Sequence, residues 1–310
     1  MEIRNVLCPV DFSDLSRHAL RHAIAIADWC KAELTVMYVH HIPFGPLALS
    51  PSVAPAPVDA LFLSPEQRAQ WRQELERFTP ADATKGVAVA FEVAEGDVAL
   101  EIVARAESAD ILVMGTHGRS GVERLVLGSV AEKVLHRAPC ALMTVPAGAS
   151  DPSAALFRHV VAAIDFSEIS GEALGYALSL AEDADARLTL LHVVEVPREL
   201  TEWAAENAEG RKHIELWRLQ ARDRLQALVP GTVRIATPVD TRIEVGTPYR
   251  EILRVAAEAH ADLVVMGTHG RGALERLFVG STAQHVVRQA QCPVLTVRHR
   301  AVRAPRSHQH

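Results

Sequence analysis

Glycines, small hydroxyls and two aspartates are the residues whose spacing in this chain points to chemistry. The string VMGTHGR occupies residues 113–119 and returns at 265–271. It holds Gly115 and Gly118 in the first copy, Gly267 and Gly270 in the second. After nine further residues a third glycine precedes a serine, as Gly128-Ser129 and Gly280-Ser281. Glycine lets a ligand approach the main chain closely and permits positive φ. A helix starting at Ser129 or Ser281 aims free N–H groups and the positive end of its dipole outward. Glycine loop, hydroxyl and helix start together make an anion site, and phosphate is its obvious guest. Asp11 and Asp165 each follow the first apolar run of a half. They suit a ribose contact, although capping a helix competes with that role, as do Ser13 and Ser167 for the cap.

Other phosphate chemistries are absent from the sequence. There is no G-x-x-x-x-G-K-[ST], so no P-loop lysine reaches a γ-phosphate. No G-x-G-x-x-G follows the first strand, where a dinucleotide fold carries it. His117 and His269 lie too far apart in sequence to suggest one metal site, and plain loop residues are the alternative. His40 and His41 are adjacent on a strand and point to opposite faces. The recurring pairs Glu123-Arg124 and Glu275-Arg276 read as exposed charges that hold the loop. The four cysteines form no C-x-x-C pair and read as small hydrophobes in a reducing cytoplasm.

These residues need a scaffold, and the repeat supplies one twice. ADILVMGTHGRSGVERLVLGSVAEKVL (109–135) aligns without a gap with ADLVVMGTHGRGALERLFVGSTAQHVV (261–287). NVLCPVDFSDLS (5–16) aligns with HVVAAIDFSEIS (159–170). A pattern present once per half implies two similar domains. The boundary falls at the small-residue stretch PAGASDP (146–152). We therefore expect domains at 1–147 and 156–300, a linker at 148–155, and a disordered tail at 301–310. Apolar residues make up 49% and charged residues 23%, with a net charge of −6. That balance fits a globular protein and disfavours a nucleic-acid-binding surface. No apolar run is long enough to cross a membrane, and MEIRNVLCPVDF lacks the features of a secretory signal.

Within each half, strands and helices alternate. NVLCPVD reads as a strand buried on both faces, and Leu20, Ala23, Ile24 and Ala27 share one helical face, as do Leu174, Ala177, Leu178 and Ala181. ELTVMYVHH and RLTLLHVVE are second strands. A variable stretch follows, with a helix at Pro65–Phe78 in the first half and one ending at Leu228 in the second. Third strands are VAVAFEVAEG and RIATPVDTRIEVG, followed by helices at Val98–Ala106 and Tyr249–Ala259. ILVMG and LVVMG are fourth strands. Final helices run Ser129–Arg137 and Ser281–Gln289, before CALMTV and CPVLTV. This α/β order predicts an open parallel sheet with helices on both faces. Ligands of such sheets sit beyond the strand C-termini where strand order reverses. Both last strands are expected at edges, where exposed backbone invites pairing.

G-x2-G-x9-G-[ST] after a strand ending in Met-Gly, with an early strand ending in Asp, resembles the universal stress protein family. The resemblance spans nearly the whole chain as two tandem domains. It implies a flavodoxin-like (adenine nucleotide α-hydrolase-like) fold with a five-stranded sheet ordered 3-2-1-4-5, and membership of the ATP-binding branch. Carried over by position, the adenine and ribose end meets Pro9, Asp11 and Val39. Phosphates meet Met114, Gly115, His117, Gly118, Gly128, Ser129 and Val130, with Arg119 nearby. The second half offers Ala163, where the family often has proline, with Asp165, Val193, Met266, Gly267, His269, Gly270, Arg271, Gly280, Ser281 and Thr282. The implied cofactor is ATP, with Mg²⁺ held mainly by its phosphates. Family domains commonly dimerise through the last strand, which implies an intramolecular pseudo-dimer and leaves a homodimer open. Three roles stay open: a nucleotide-dependent stress-response module, a slow ATPase or phosphotransferase, and an adaptor with relic sites or another small ligand. No dedicated catalytic base is evident, which favours the first.

Overall fold

The computed structural model of the chain describes residues 3–42, 62–81, 83–117, 127–152, 156–229, 238–269 and 279–298. Each half lays down the alternation expected of it. The first runs β1 (Asn5–Pro9), α1 (Asp14–Cys30), β2 (Glu33–His41), α2 (Pro65–Phe78), β3 (Val89–Gly96), α3 (Val98–Ala106), β4 (Ile111–Gly115), α4 (Ser129–Arg137) and β5 (Ala141–Val145). The second runs β6 (His159–Ala163), α5 (Glu168–Asp183), β7 (Arg187–Val194), α6 (Arg198–Glu206), α7 (Ala208–Ala227), β8 (Val239–Val245), α8 (Pro248–Glu258), β9 (Leu263–Gly267), α9 (Ser281–Gln289) and β10 (Val294–Val297). The central strands are short, apolar and buried on both faces, as a sheet sandwiched between helices requires.

Strand order is β3-β2-β1-β4-β5-β10-β9-β6-β7-β8. Each half is parallel and ordered 3-2-1-4-5 in its own numbering. The halves meet where β5 and β10 pair antiparallel, Leu295 opposite Met143. The two sheets expected to be open are thus one continuous sheet of ten strands, and the expected edge strands close on each other. Alternate strand residues face opposite ways. Val6 and Cys8 join a core beneath α1, α2, α5 and α7, whereas Leu7 joins a core beneath α3, α4, α8 and α9. Order reverses between β1 and β4, and between β6 and β9, so a crevice opens above each pair.

Local chemistry explains the helix starts. Ser13 and Ser167 accept from the amides of Ser16 and Ser170. Ser64 and Gln67 form a capping box around Pro65. Asp97 accepts from Ala99 and Leu100. The helix expected to end at Leu228 is preceded by a second helix, because the chain turns at Asn207 (φ −119°, ψ 132°). A Cβ on Gly210 would lie 2.7 Å from the Ala204 Cα, so only glycine lets α6 and α7 touch there. Among the described residues, no helix is long and apolar enough to cross a membrane. Gly118, Arg119, Gly270, Arg271, the two Glu-Arg pairs and the tail lie outside the described residues.

Candidate functional site

Each site begins where its first strand ends. Asp11 Oδ1 accepts from the Ser13 amide at 3.0 Å and from its hydroxyl at 2.5 Å. Asp165 treats Ser167 the same way, at 2.9 and 2.6 Å. The serines therefore hold the helix caps, and the aspartates orient the serines. Between them, Phe12 (φ 64°) and Phe166 (φ 63°) occupy the left-handed region. Such a conformation costs a non-glycine residue about 1–3 kcal/mol, and this kind of strain clusters at ligand clamps. Both halves retain it at the same place.

The loop after the fourth strand is tied down by a threonine. The Thr116 amide donates to Val145 O at 3.2 Å, and its carbonyl accepts from the Gly128 amide at 2.8 Å. Thr268 does the same with Val297 and Gly280, at 2.8 and 2.7 Å. Gly128 (φ −60°) and Gly280 (φ −61°) have backbone angles open to any residue. The positive φ expected of the glycine loop is thus absent at its third glycine. The first glycine serves close approach, but to the chain itself. A Cβ on Gly267 would lie 2.9 Å from Ile169 Cγ2 and 3.4 Å from the Ser170 amide, and one on Gly115 would lie 3.4 Å from Leu15 O. The strand end rests directly on the first turn of α1 or α5.

Two groups of polar atoms remain available for a ligand. Among the described residues no side chain caps α4 or α9, so their first-turn amides keep their hydrogen-bonding capacity. His117 and His269 each bond a threonine hydroxyl through Nδ1, at 2.9 and 2.8 Å. Their buried Nε2 atoms have no partner among the described residues. Burial, and after it the charges of Arg298 and His136, lower the His269 pKa below its usual value, so the ring is neutral at pH 7.

In the second half these groups share a cavity of about 710 Å³. Ala163, Asp165, Val193, Met266, Gly267, His269, Gly280, Ser281 and Thr282 all line it. In the first half, Pro9, Asp11, Val39, Met114, Gly115, His117, Gly128, Ser129 and Val130 occupy the equivalent strand ends, loop and helix start. Val39 and Met114 are buried in one cluster with Leu127. Among the described residues no group of three His, Cys, Asp or Glu side chains is arranged to hold a metal.

The sequence profile of the universal stress protein family matches residues 2–146 and again residues 156–298. The chain belongs to that family, in tandem. A universal stress protein of Methanocaldococcus jannaschii is 32% identical over 145 residues, covering 46% of this chain and 83% of the relative. One from Mycolicibacterium smegmatis is 28% identical over 308 residues, covering 95% of this chain and 97% of the relative. The crystal structure of a universal stress protein from Archaeoglobus fulgidus superposes with a TM-score of 0.69 at 23% identity, covering 97% of this chain and all of that one. That likeness concerns the fold.

In this universal stress protein α4 and α9, the last helices of the two halves, also touch. Glu132 of α4 pairs with Arg288 of α9 at 2.6 Å, and Gln284 of α9 meets His136 of α4 at 3.1 Å. Glu132 is the counterpart of Gln284, and His136 of Arg288. The ion pair therefore exists only because unlike halves face each other. Arg298 donates to His136 O at 2.6 Å. Thr144 and Thr296 hydroxyls donate across the seam to Val294 O and Leu142 O, at 3.3 and 3.1 Å. Among the cavity-lining residues that sequence reasoning missed are Ser170, Trp217, Pro248 and Ile252. Pro248 carries a signal, since it opens a helix directly after a third strand. Trp217 sits in the variable stretch, where the repeat offers no guide.

Proposed function

We propose that this universal stress protein binds ATP in each half and acts as a nucleotide-dependent stress-response module. The observation that carries the reading is the second half's cavity. It gathers nine residues chosen from spacing and resemblance, including a helix start and a buried imidazole Nε2 that have no side-chain partner among the described residues. In the tautomer whose Nδ1 accepts from the Thr268 hydroxyl, Nε2 carries the N–H and suits an acceptor such as a phosphate oxygen. The helix amides and dipole favour the same charge. Asp165, held through one oxygen by Ser167, stands on the ribose side. Mg²⁺ enters with the nucleotide, held mainly by its phosphates. Binding dominates over chemistry, because groups that hold the ground state without favouring a transition state do not accelerate hydrolysis.

Titration of nucleotide-free protein with ATP in a calorimeter tests this reading. The expected stoichiometry approaches two nucleotides per chain. No binding at millimolar ATP overturns the reading, and a single site restricts it to one half.

A further inference from the structure

We infer that Trp217 is an aromatic platform in the second half, against which the flat ring of a purine base stacks. This deepens the nucleotide reading and rests on it. The motif residues of the cavity suit phosphate and ribose, and at the adenine end they offer only Ala163 and Val193, neither of them aromatic. Trp217 belongs to no motif, yet its side chain forms part of the cavity wall with Val193, Pro248 and Ile252.

The helix that carries it is built unlike its counterpart. α7 has 20 residues where α2 has 14. The side chains α7 buries, Ala221 and Leu225, both lie in its last two turns. Trp217 stands one turn before them and is 36% exposed. Leaving a large indole partly in water forgoes the free energy of burying it, and such a ring at a cavity mouth is placed to be covered by a ligand.

The first half uses its tryptophan differently. Trp71 of α2 packs on Phe12 and Tyr38, with ring centroids 5.7 and 4.6 Å apart. The counterparts of Phe12 and Tyr38 are Phe166 and His192, which pair with each other at 4.4 Å. Arg224 covers Phe166 at 4.1 Å. That cluster is complete without Trp217, and no aromatic ring packs on Trp217 among the described residues. A partly exposed indole that lines the same cavity as the start of α9 suits a planar base joined to a phosphate chain.

The test compares ATP with tripolyphosphate, which has the phosphates and no base. Titrations use the full-length chain, its W217A and W217F variants, and thermal melts to verify folding. Stacking on an aromatic side chain is worth enough that W217A is expected to weaken one of the two ATP sites by roughly tenfold or more. W217F is expected to stay within about threefold of the parent, since a ring remains. Tripolyphosphate affinity is expected to be unchanged in both variants. Two unaltered ATP affinities in W217A would overturn the platform and leave the nucleotide reading intact. Equal weakening of ATP and tripolyphosphate would show that Trp217 merely supports the cavity, and overturns the platform too. A parent chain that binds no ATP defeats both readings together.

Discussion

Proline at the first position of α4 and α9 removes one amide and the serine hydroxyl and leaves the helix start in place. Ser129 and Ser281 are the first residues of α4 and α9. Proline is favoured there, because the lost N–H has no partner within the helix. The preceding residue must be extended, and Gly128 (ψ 145°) and Gly280 (ψ 146°) already are. The double variant S129P/S281P should therefore fold with a melting temperature close to that of the parent. A hydrogen bond to a charged group contributes about 1.5–3 kcal/mol. At 1.4 kcal/mol per factor of ten, ATP should bind each site about 10- to 100-fold more weakly. The S129A/S281A variant keeps the amides and loses only the hydroxyls, so it isolates the serine contribution. Calorimetry reads the affinities and a thermal melt reads the fold. A folded proline double variant with parental ATP affinity would refute the claim that these helix starts hold phosphate.

The remaining expectations concern the seam, protonation and chemistry. Leu295 is fully buried on β10 at the join between halves, so L295A should cost about 2–5 kcal/mol by urea unfolding; a loss below about 1 kcal/mol would mean that the seam relaxes around the cavity. Burial, and after it the charge of His18, lowers His22 from 6.5 to about 4. The unfolded chain then binds the extra proton between those values, so stability is full above pH 6.5 and falls as pH drops toward 4. The loss approaches about 3 kcal/mol, and H22L should flatten that part of the pH profile if His22 is its source. Phosphate release from excess Mg·ATP should be far slower than the ~1–100 s⁻¹ of kinases. Turnover near one per second that disappears in S129P/S281P would move His117 and His269 into catalytic roles.

Local sequence determined the elements, and tertiary structure decided how they are joined and what several residues are for. Ser129–Arg137 and Ser281–Gln289 were legible to the residue, because glycine before serine and a following apolar stripe are local signals. The repeat made the two-domain layout legible, since matching strings in matching contexts place the same groups at the same strand ends. In the residues themselves the closure of β5 on β10 was legible as an unpaired edge, and only the family resemblance implied that the two edges pair with each other. Backbone amides carry no address, so the partner of an edge is set by shape across the seam. The Glu132–Arg288 pair was hidden for a related reason, since each repeat carries only one of the charges. Glycine was read as a ligand-facing device, yet a Cβ on Gly267 would collide with Ile169 of a neighbouring helix start, and one on Gly115 would press on His117 O of its own loop. Residue type reports that a Cβ is unwelcome, and only the packed chain reveals what would meet it. Trp217 shows the same limit from the other side. An aromatic residue on a helix in a variable stretch reads as core, and its place at the cavity follows from the length of α7 and the direction in which it packs.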